Sequence, residues 1–575
     1  LFFDLNGTSG MRKGANSGVS VFGLVATVAF SLFLTAEVFA AAQGQKQPAA
    51  LDYVGIYKLR EAQPALTGTG VKIAAVGRSM TYSDGLPMND YRPFTAHQCL
   101  GGKVFAFHDN QDMPAGISFH ETAVASILFG GDPNAYLDKL GAFAYEGVAP
   151  DASAEFHEFW HFLTGNVFPS RRPDADVLTI SLGSPFEDWW TRGIDAMAER
   201  YGLPIVAGVG NGLSAHDSVL FPAAGSNVIA VGVIEEIHSN DLMAGLANFW
   251  LPQPRSSSCG PTDDNRAKPD IVAPGRCVVA DGTTASAFII TPTCSSYATP
   301  IVAGTIGLLA QNAKADPNLK DALGEGSACV MKAILLTSAR KMPYWHKGAG
   351  SQDNHLVPLD YTQGAGQLDA FAADELLRSG RQAAGQVDES GWDWARLPLD
   401  GATANTYVLD GSNIAGKTIT ATLVWNRHYL QTYPFAHDSA RDTDLSLELW
   451  AIDRNGAHLA DYSDSHADNL EHLSFVADAN AQYMLLVRLS ENGVKDAAAI
   501  EKYALTWRVS RTPAKDATWY DLNGDGVVNA ADVMKFITDL TMTGSQPTSS
   551  VGDLNMDGRI DVLDLIAIIK AIGRP

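Results

Sequence analysis

The chain has 575 residues, enough for roughly three or four domains at about 150 residues each. Its 41 Lys plus Arg against 64 Asp plus Glu give a net charge of −23 with no basic run, which excludes nucleic-acid binding as its main task. Charged residues are 18% and apolar residues 46%; the charge is below the roughly 25% of soluble domains, which excludes long disordered or coiled-coil segments, and five scattered cysteines exclude a disulfide scaffold or a zinc site.

The first element is an address. Met11 is followed by Arg12 and Lys13, an apolar run from Val19 to Leu34, and then Ala36, Ala40, Ala41 and Ala42. Basic, apolar and small segments in that order predict a secretory signal peptide over residues 1–42 with its start at Met11. The alternative is an uncleaved anchor, since the run approaches spanning length. A cleaved chain is expected to be secreted or held at a cell surface.

Beyond it, short apolar runs recur at Val71–Val76, Val104–Phe107, Val177–Leu182, Ile205–Val209 and Val228–Val233, separated by helix-like stretches such as His120–Leu128 and Trp189–Tyr201. Apolar strands alternating with helices predict an α/β domain over residues 50–375, built on a parallel sheet covered on both faces. From residue 390 to 511 the texture changes to strand-like segments with turn-rich spacers, among them Thr418–Trp425, Leu445–Trp450, Tyr483–Leu489 and Tyr503–Val509. That predicts an all-β sandwich. The remainder, 516–575, holds two matching segments joined by a linker rich in Thr, Ser, Gly and Pro at Thr541–Ser550.

Four separated motifs in the α/β region carry chemistry. Cys294-Ser295-Ser296-Tyr297-Ala298-Thr299-Pro300-Ile301-Val302-Ala303-Gly304 and Lys268-Pro269-Asp270-Ile271-Val272-Ala273-Pro274-Gly275 are the strongest. The others are His120-Glu121-Thr122-Ala123-Val124-Ala125-Ser126 and Pro204-Ile205-Val206-Ala207-Gly208-Val209-Gly210-Asn211. Together they resemble the subtilisin-like serine proteases, the subtilases. Two framework segments fit the same pattern, Gly147-Val148-Ala149-Pro150 and Ile180-Ser181-Leu182-Gly183. The resemblance implies a serine endopeptidase with Ser296 as nucleophile, His120 as base and Asn211 as oxyanion donor. A helix N-terminus suits such a serine, because its N–H groups face the developing charge. Pro300 is expected in the first turn, where a proline costs no helical bond.

The acid departs from the pattern. Subtilases carry an Asp at the end of the first strand, where this chain has Val71-Lys72-Ile73-Ala74-Ala75-Val76-Gly77-Arg78-Ser79, with Gly77 in the Asp position. The run is closer to the first strand of the related sedolisins, yet the acidic residues of that group are not matched at His120, Val124 and Asn211. The motif of the base departs too, with Glu121 in place of Gly. Candidates for a replacement acid are Glu158, in a charged stretch expected beside the first strand, then Asp84, then another carboxylate such as Asp109, or none. The rival reading is a catalytically inactive subtilase fold used as a binding or scaffold module. The segment from Gln43 to Gln63 is too short for the folded inhibitory propeptide of many secreted subtilases. The sandwich resembles the jelly-roll domain that follows some subtilase catalytic units.

The tail repeats one twelve-residue pattern. Asp521, Asn523, Asp525 and Asp532 supply side-chain oxygens in the first loop, with the Val527 carbonyl at position 7; Asp553, Asn555, Asp557, Asp561 and Asp564, with the Arg559 carbonyl, do so in the second. Oxygens at this spacing around a turn glycine form an EF-hand-like calcium loop. Two loop–helix units, with helices expected at Ala531–Leu540 and Val562–Ile572, resemble a type I dockerin. The resemblance implies two calcium ions and a cohesin-bearing partner.

Overall fold

The computed structural model of the protein describes residues 46–511 apart from 79–81, 84–85, 111–114, 213–218, 237–241, 254, 344, 350–352, 411–413, 479–480 and 492, together with 528–542 and positions 565, 566, 568, 569 and 572.

Seven parallel strands form the central sheet: β1 (Lys72–Gly77), β2 (Phe105–His108), β3 (Ser153–Glu158), β4 (Val177–Ile180), β5 (Ile205–Gly208), β6 (Ile229–Ile234) and β7 (Ile271–Pro274), in the order β7-β6-β5-β4-β1-β3-β2. Strands β4 to β7 are buried along their whole length, which is why they read in sequence as unbroken apolar runs. Successive residues of β1 serve opposite faces: Ile73 and Ala75 join one core with helices α1 (Phe119–Phe129) and α3 (Ser295–Ala315), whereas Ala74 and Val76 join a second core with α2 (Trp189–Tyr201). The segment read as too short for a propeptide is part of this unit. Lys46–Gln47 adds a parallel strand to Gly141–Glu146, and the helix Ile56–Ala62 packs on the helix Ala370–Arg378.

Two further sheets follow. One contains, in neighbour order, Gly385–Val387, Ala404–Leu409, Gln482–Leu489, Leu445–Asp453 and Gly456–Ser463; the other contains Ser390–Leu399, Asp496–Arg511, Lys417–Trp425 and Leu470–Val476. Their inward residues, among them Tyr407, Leu447, Leu485, Leu423 and Leu505, share one core. Helix α4 (Ser327–Ser338), buried throughout, joins the halves: Thr337 Oγ1 bonds the hydroxyls of Thr422 at 2.7 Å and Thr506 at 2.6 Å. In the tail a helix spans Ala530–Met542, and Phe536 and Ile568 are buried. No helix among the described residues is long and apolar enough to cross a membrane. The proposed signal segment lies outside them.

Candidate active site

Ser296 and His120 lie at the starts of two helices, and Asn211 follows the carboxyl end of β5. Ser296 lies in the first turn of α3, after the N-cap Cys294. A first-turn N–H has no acceptor within its helix, and the helix end carries partial positive charge, so the Ser296 N–H suits an oxyanion. The expectation for Pro300 is corrected here. Helix α3 begins at Ser295, so Pro300 sits beyond the first turn and withholds an N–H from the carbonyl four residues back, that of Ser296. Ser181, just past β4, fills the gap: its hydroxyl donates to the Ser296 carbonyl at 2.9 Å, and Ser296 Oγ donates to the Ser181 carbonyl at 3.5 Å. The proline thus leaves an acceptor that ties the turn holding Ser296 to Ser181 at the end of β4.

Asn211 follows β5 after Gly210, whose φ of 107° suits only glycine. The Asn211 Oδ1 accepts from Ser295 N–H at 2.8 Å and from Ser295 Oγ at 3.0 Å. With the oxygen pinned to α3, the amide nitrogen has no hydrogen-bond partner among the described residues and remains available to a ligand. Strand β5 and α3 approach closely: a Cβ at Gly208 would lie 2.9 Å from Thr299 Oγ1 and 3.1 Å from Ser295 Oγ.

His120 is the second residue of α1, capped by the Ser118 side chain, which accepts from Glu121 N–H. Its ring lies 6.0 Å from that of Tyr297, the neighbour of Ser296. The Nδ1 of His120 is 2.9 Å from Glu121 Oε1. Burial pulls the imidazole pKa down, but the Glu121 hydrogen bond and charge outweigh it, and the net shift is upward from 6.5. Nε2 makes no hydrogen bond among the described residues.

Residues 102–366 match the Subtilase family. Over those residues the α/β unit is similar to subtilases. Pyrolysin of Pyrococcus furiosus is 26% identical over 311 residues, which cover 49% of this chain and 21% of that protein; the chain thus matches about a fifth of the length of this relative.

Within the matched region Glu158 does not bond His120. Glu158 was expected within about 3 Å of a ring nitrogen of His120. It ends β3 opposite Gly77 and instead caps the short helix Phe159–Phe162, accepting His161 N–H at 2.8 Å. The charged stretch turns to other partners: Glu155 pairs with His108 at 2.7 Å, and the His157 ring stacks on that of His108 at 4.3 Å. Asp109 is engaged by Arg92 and by Tyr91, whose hydroxyl donates at 2.7 Å. Asp84 lies outside the described residues. The carboxylate that does reach His120 is Glu121, which the sequence marks only as a departure from the motif glycine. The signal that finds it is the pair of departures, Gly77 for Asp and Glu121 for Gly.

The motif Lys268-Pro269-Asp270 is structural. Asp270, fully buried, accepts from Ala230 N–H at 2.7 Å and pairs with Lys268 at 2.8 Å and Lys332 at 3.1 Å. Burial alone would raise its pKa; the two ammonium groups and the Ala230 N–H hold it below the usual value.

Of the tail residues expected to ligate calcium only Asp532 falls within the described residues; Asp521, Asn523, Asp525, Val527, Asp553, Asn555, Asp557, Arg559, Asp561 and Asp564 lie outside them. Asp532 is buried, and its Oδ2 accepts from Asn529 N–H at 2.8 Å.

Proposed function

We propose that the protein is a secreted serine endopeptidase. The supporting observation is the convergence of Ser296, His120 and Asn211 at the carboxyl edge of the sheet, with Ser295 holding Asn211 Oδ1 and Tyr297 beside the His120 ring. Ser296 Oγ attacks the peptide carbonyl carbon while its proton passes to His120 Nε2. The carbonyl oxygen, now anionic, is held by the Ser296 N–H and the Asn211 amide; one such side-chain donor is worth about 3–4 kcal/mol of barrier. His120 returns the proton to the leaving amine, the C–N bond breaks, and an acyl-serine remains. Water, deprotonated by the same His120, then releases the acid and restores Ser296. Wild-type protein should hydrolyse an unfolded protein substrate, and folded Ser296→Ala should not. Equal activity in the two would refute Ser296 as nucleophile, and inactivity of both would favour the inactive module.

We propose in addition that the tail is a calcium-dependent dockerin that attaches the enzyme to a cohesin-bearing partner. The donor set is all oxygen, which suits calcium. Asp521, Asn523, Asp525, the Val527 carbonyl and Asp532 would hold one ion; Asp553, Asn555, Asp557, the Arg559 carbonyl, Asp561 and Asp564 would hold the other. Clustered carboxylates repel one another without metal, so bound calcium would order the tail. Calorimetric titration of the full chain with calcium should give two sites that are lost in an Asp521→Ala/Asp553→Ala variant. Unchanged binding in that variant would count against the assignment.

A further inference from the structure

We propose that Glu121 is the positioning carboxylate of His120, doing from α1 what the end of β1 cannot do because residue 77 is glycine. The inference rests on the peptidase reading and supplies the group that reading lacked.

Four observations carry it. First, Glu121 is only 5% exposed, and a buried carboxylate is costly without a partner. Its one side-chain hydrogen bond among the described residues is to His120 Nδ1, at 2.9 Å.

Second, the competing role is already filled. In a capping box the glutamate at the third helical position returns to the N–H of the cap residue. Here Ser118 N–H donates to the Arg92 carbonyl at 2.9 Å. The helix start therefore has Ser118 as its cap while the Glu121 carboxylate is free for the imidazole. A negative charge in the first turn is also favoured by the helix dipole.

Third, Glu121 and a side chain at position 77 compete for one space. A Cβ built on Gly77 would lie 2.8 Å from Glu121 Cδ, 2.9 Å from Cγ and 3.0 Å from Oε1. The carboxylate stands where a residue at the strand end would begin. Glycine at 77 is thus the condition for glutamate at 121, and the two departures from the subtilase pattern are one change.

Fourth, the bond is made to the correct nitrogen. An acceptor on Nδ1 fixes the proton there and leaves the Nε2 lone pair to receive the Ser296 proton; it also offsets the charge of the imidazolium that forms. The titratable groups facing the ring among the described residues are Glu121 on its own helix and Tyr297 on α3, while the facing end of β1 contributes only backbone at Gly77. The upward shift of the His120 pKa agrees with this placement.

The test is kinetic and uses the full chain. Glu121→Gln, which keeps the shape and removes the charge, should lower kcat by about 10⁴-fold with little change in KM. The acid limb of its kcat/KM profile should move to lower pH, because the base loses the charge that raises its pKa; a merely structural role would not move that limb. Glu121→Gly should be comparably slow, and Gly77→Asp/Glu121→Gly, which moves the carboxylate to the strand, should recover at least tenfold over it. Circular dichroism identifies the folded variants, and the double replacement serves if Glu121→Gln does not fold. Near-wild-type kcat in Glu121→Gln overturns the inference and leaves the peptidase reading standing. A folded double variant with no recovery also overturns it. An inert wild type overturns both readings together.

Discussion

Two buried carboxylates, Asp270 and Glu121, sit at different places on the same sheet and are treated differently by it. Asp270 is fully buried, with Ala230 N–H and Lys268 on one oxygen and Lys332 beside the other. Among the described residues Glu121 has a single side-chain bond, to an imidazole whose side chain is 36% exposed. Two opposed ammonium groups mark a charge whose task is to hold β6, β7 and α4 together. A charge bonded once, to a group open on its other side, is able to follow a proton. Both lie in motif segments, so motif membership alone does not separate the structural acid from the functional one; the partners, two lysines against one imidazole, do.

That contrast can be broken by exchanging the consequences. Asp270→Asn should cost about 3–5 kcal/mol of stability, because two ammonium groups are left buried beside a neutral side chain. In denaturant melts the loss should far exceed that of Glu121→Gln, whose effect falls on turnover. A stable Asp270→Asn protein with depressed kcat would reverse the assignment.

A third buried cluster sharpens the same point at the junction of the two halves. His428 lies between Glu199 of α2, at 2.7 Å, and Glu501 of the strand Asp496–Arg511, at 3.0 Å, with Arg441 also on Glu199. Burial works against its charge, but the two carboxylates outweigh it and raise its pKa to about 9. The folded pKa lies above the unfolded 6.5, so the stabilisation is fully present below about pH 6.5 and is lost as pH rises through about 9. The shift corresponds to about 3 kcal/mol. The melting temperature of wild type should fall across that window, and His428→Gln should flatten the fall; an identical pH dependence in the variant would remove His428 from the account. The smallest effect is expected for Ser181→Ala. Losing one neutral hydrogen bond to the Ser296 carbonyl costs about 1 kcal/mol, so kcat should drop by less than about tenfold with stability nearly unchanged. A loss as large as that of Glu121→Gln would mean that Ser181 touches the reaction directly.

The parallel core was legible because strands buried on both faces leave continuous apolar runs, and the observed Lys72–Gly77, Val177–Ile180 and Ile205–Gly208 fall on those runs. The placement of Ser296, His120 and Asn211 at the edge of the sheet was legible because each is set by local backbone at a strand or helix end. The acid was not, because its contact combines a helix position with a vacancy on another element. Glu158 was chosen on the sound ground that a charge in a central strand must be used. The strand stops there, and the carboxylate is used by the helix that begins next. Pro300 was misplaced because the helix start could be judged only to within a turn.

The claim on which the rest depends is that Ser296 is an activated nucleophile. It is tested most directly by treating the intact protein with a fluorophosphonate and locating the adduct by peptide mass spectrometry. The account predicts one stoichiometric adduct, on Ser296, abolished by Ser296→Ala and slowed by about the same factor as kcat in Glu121→Gln. An adduct on another residue, or an unmodified wild-type protein, would contradict it.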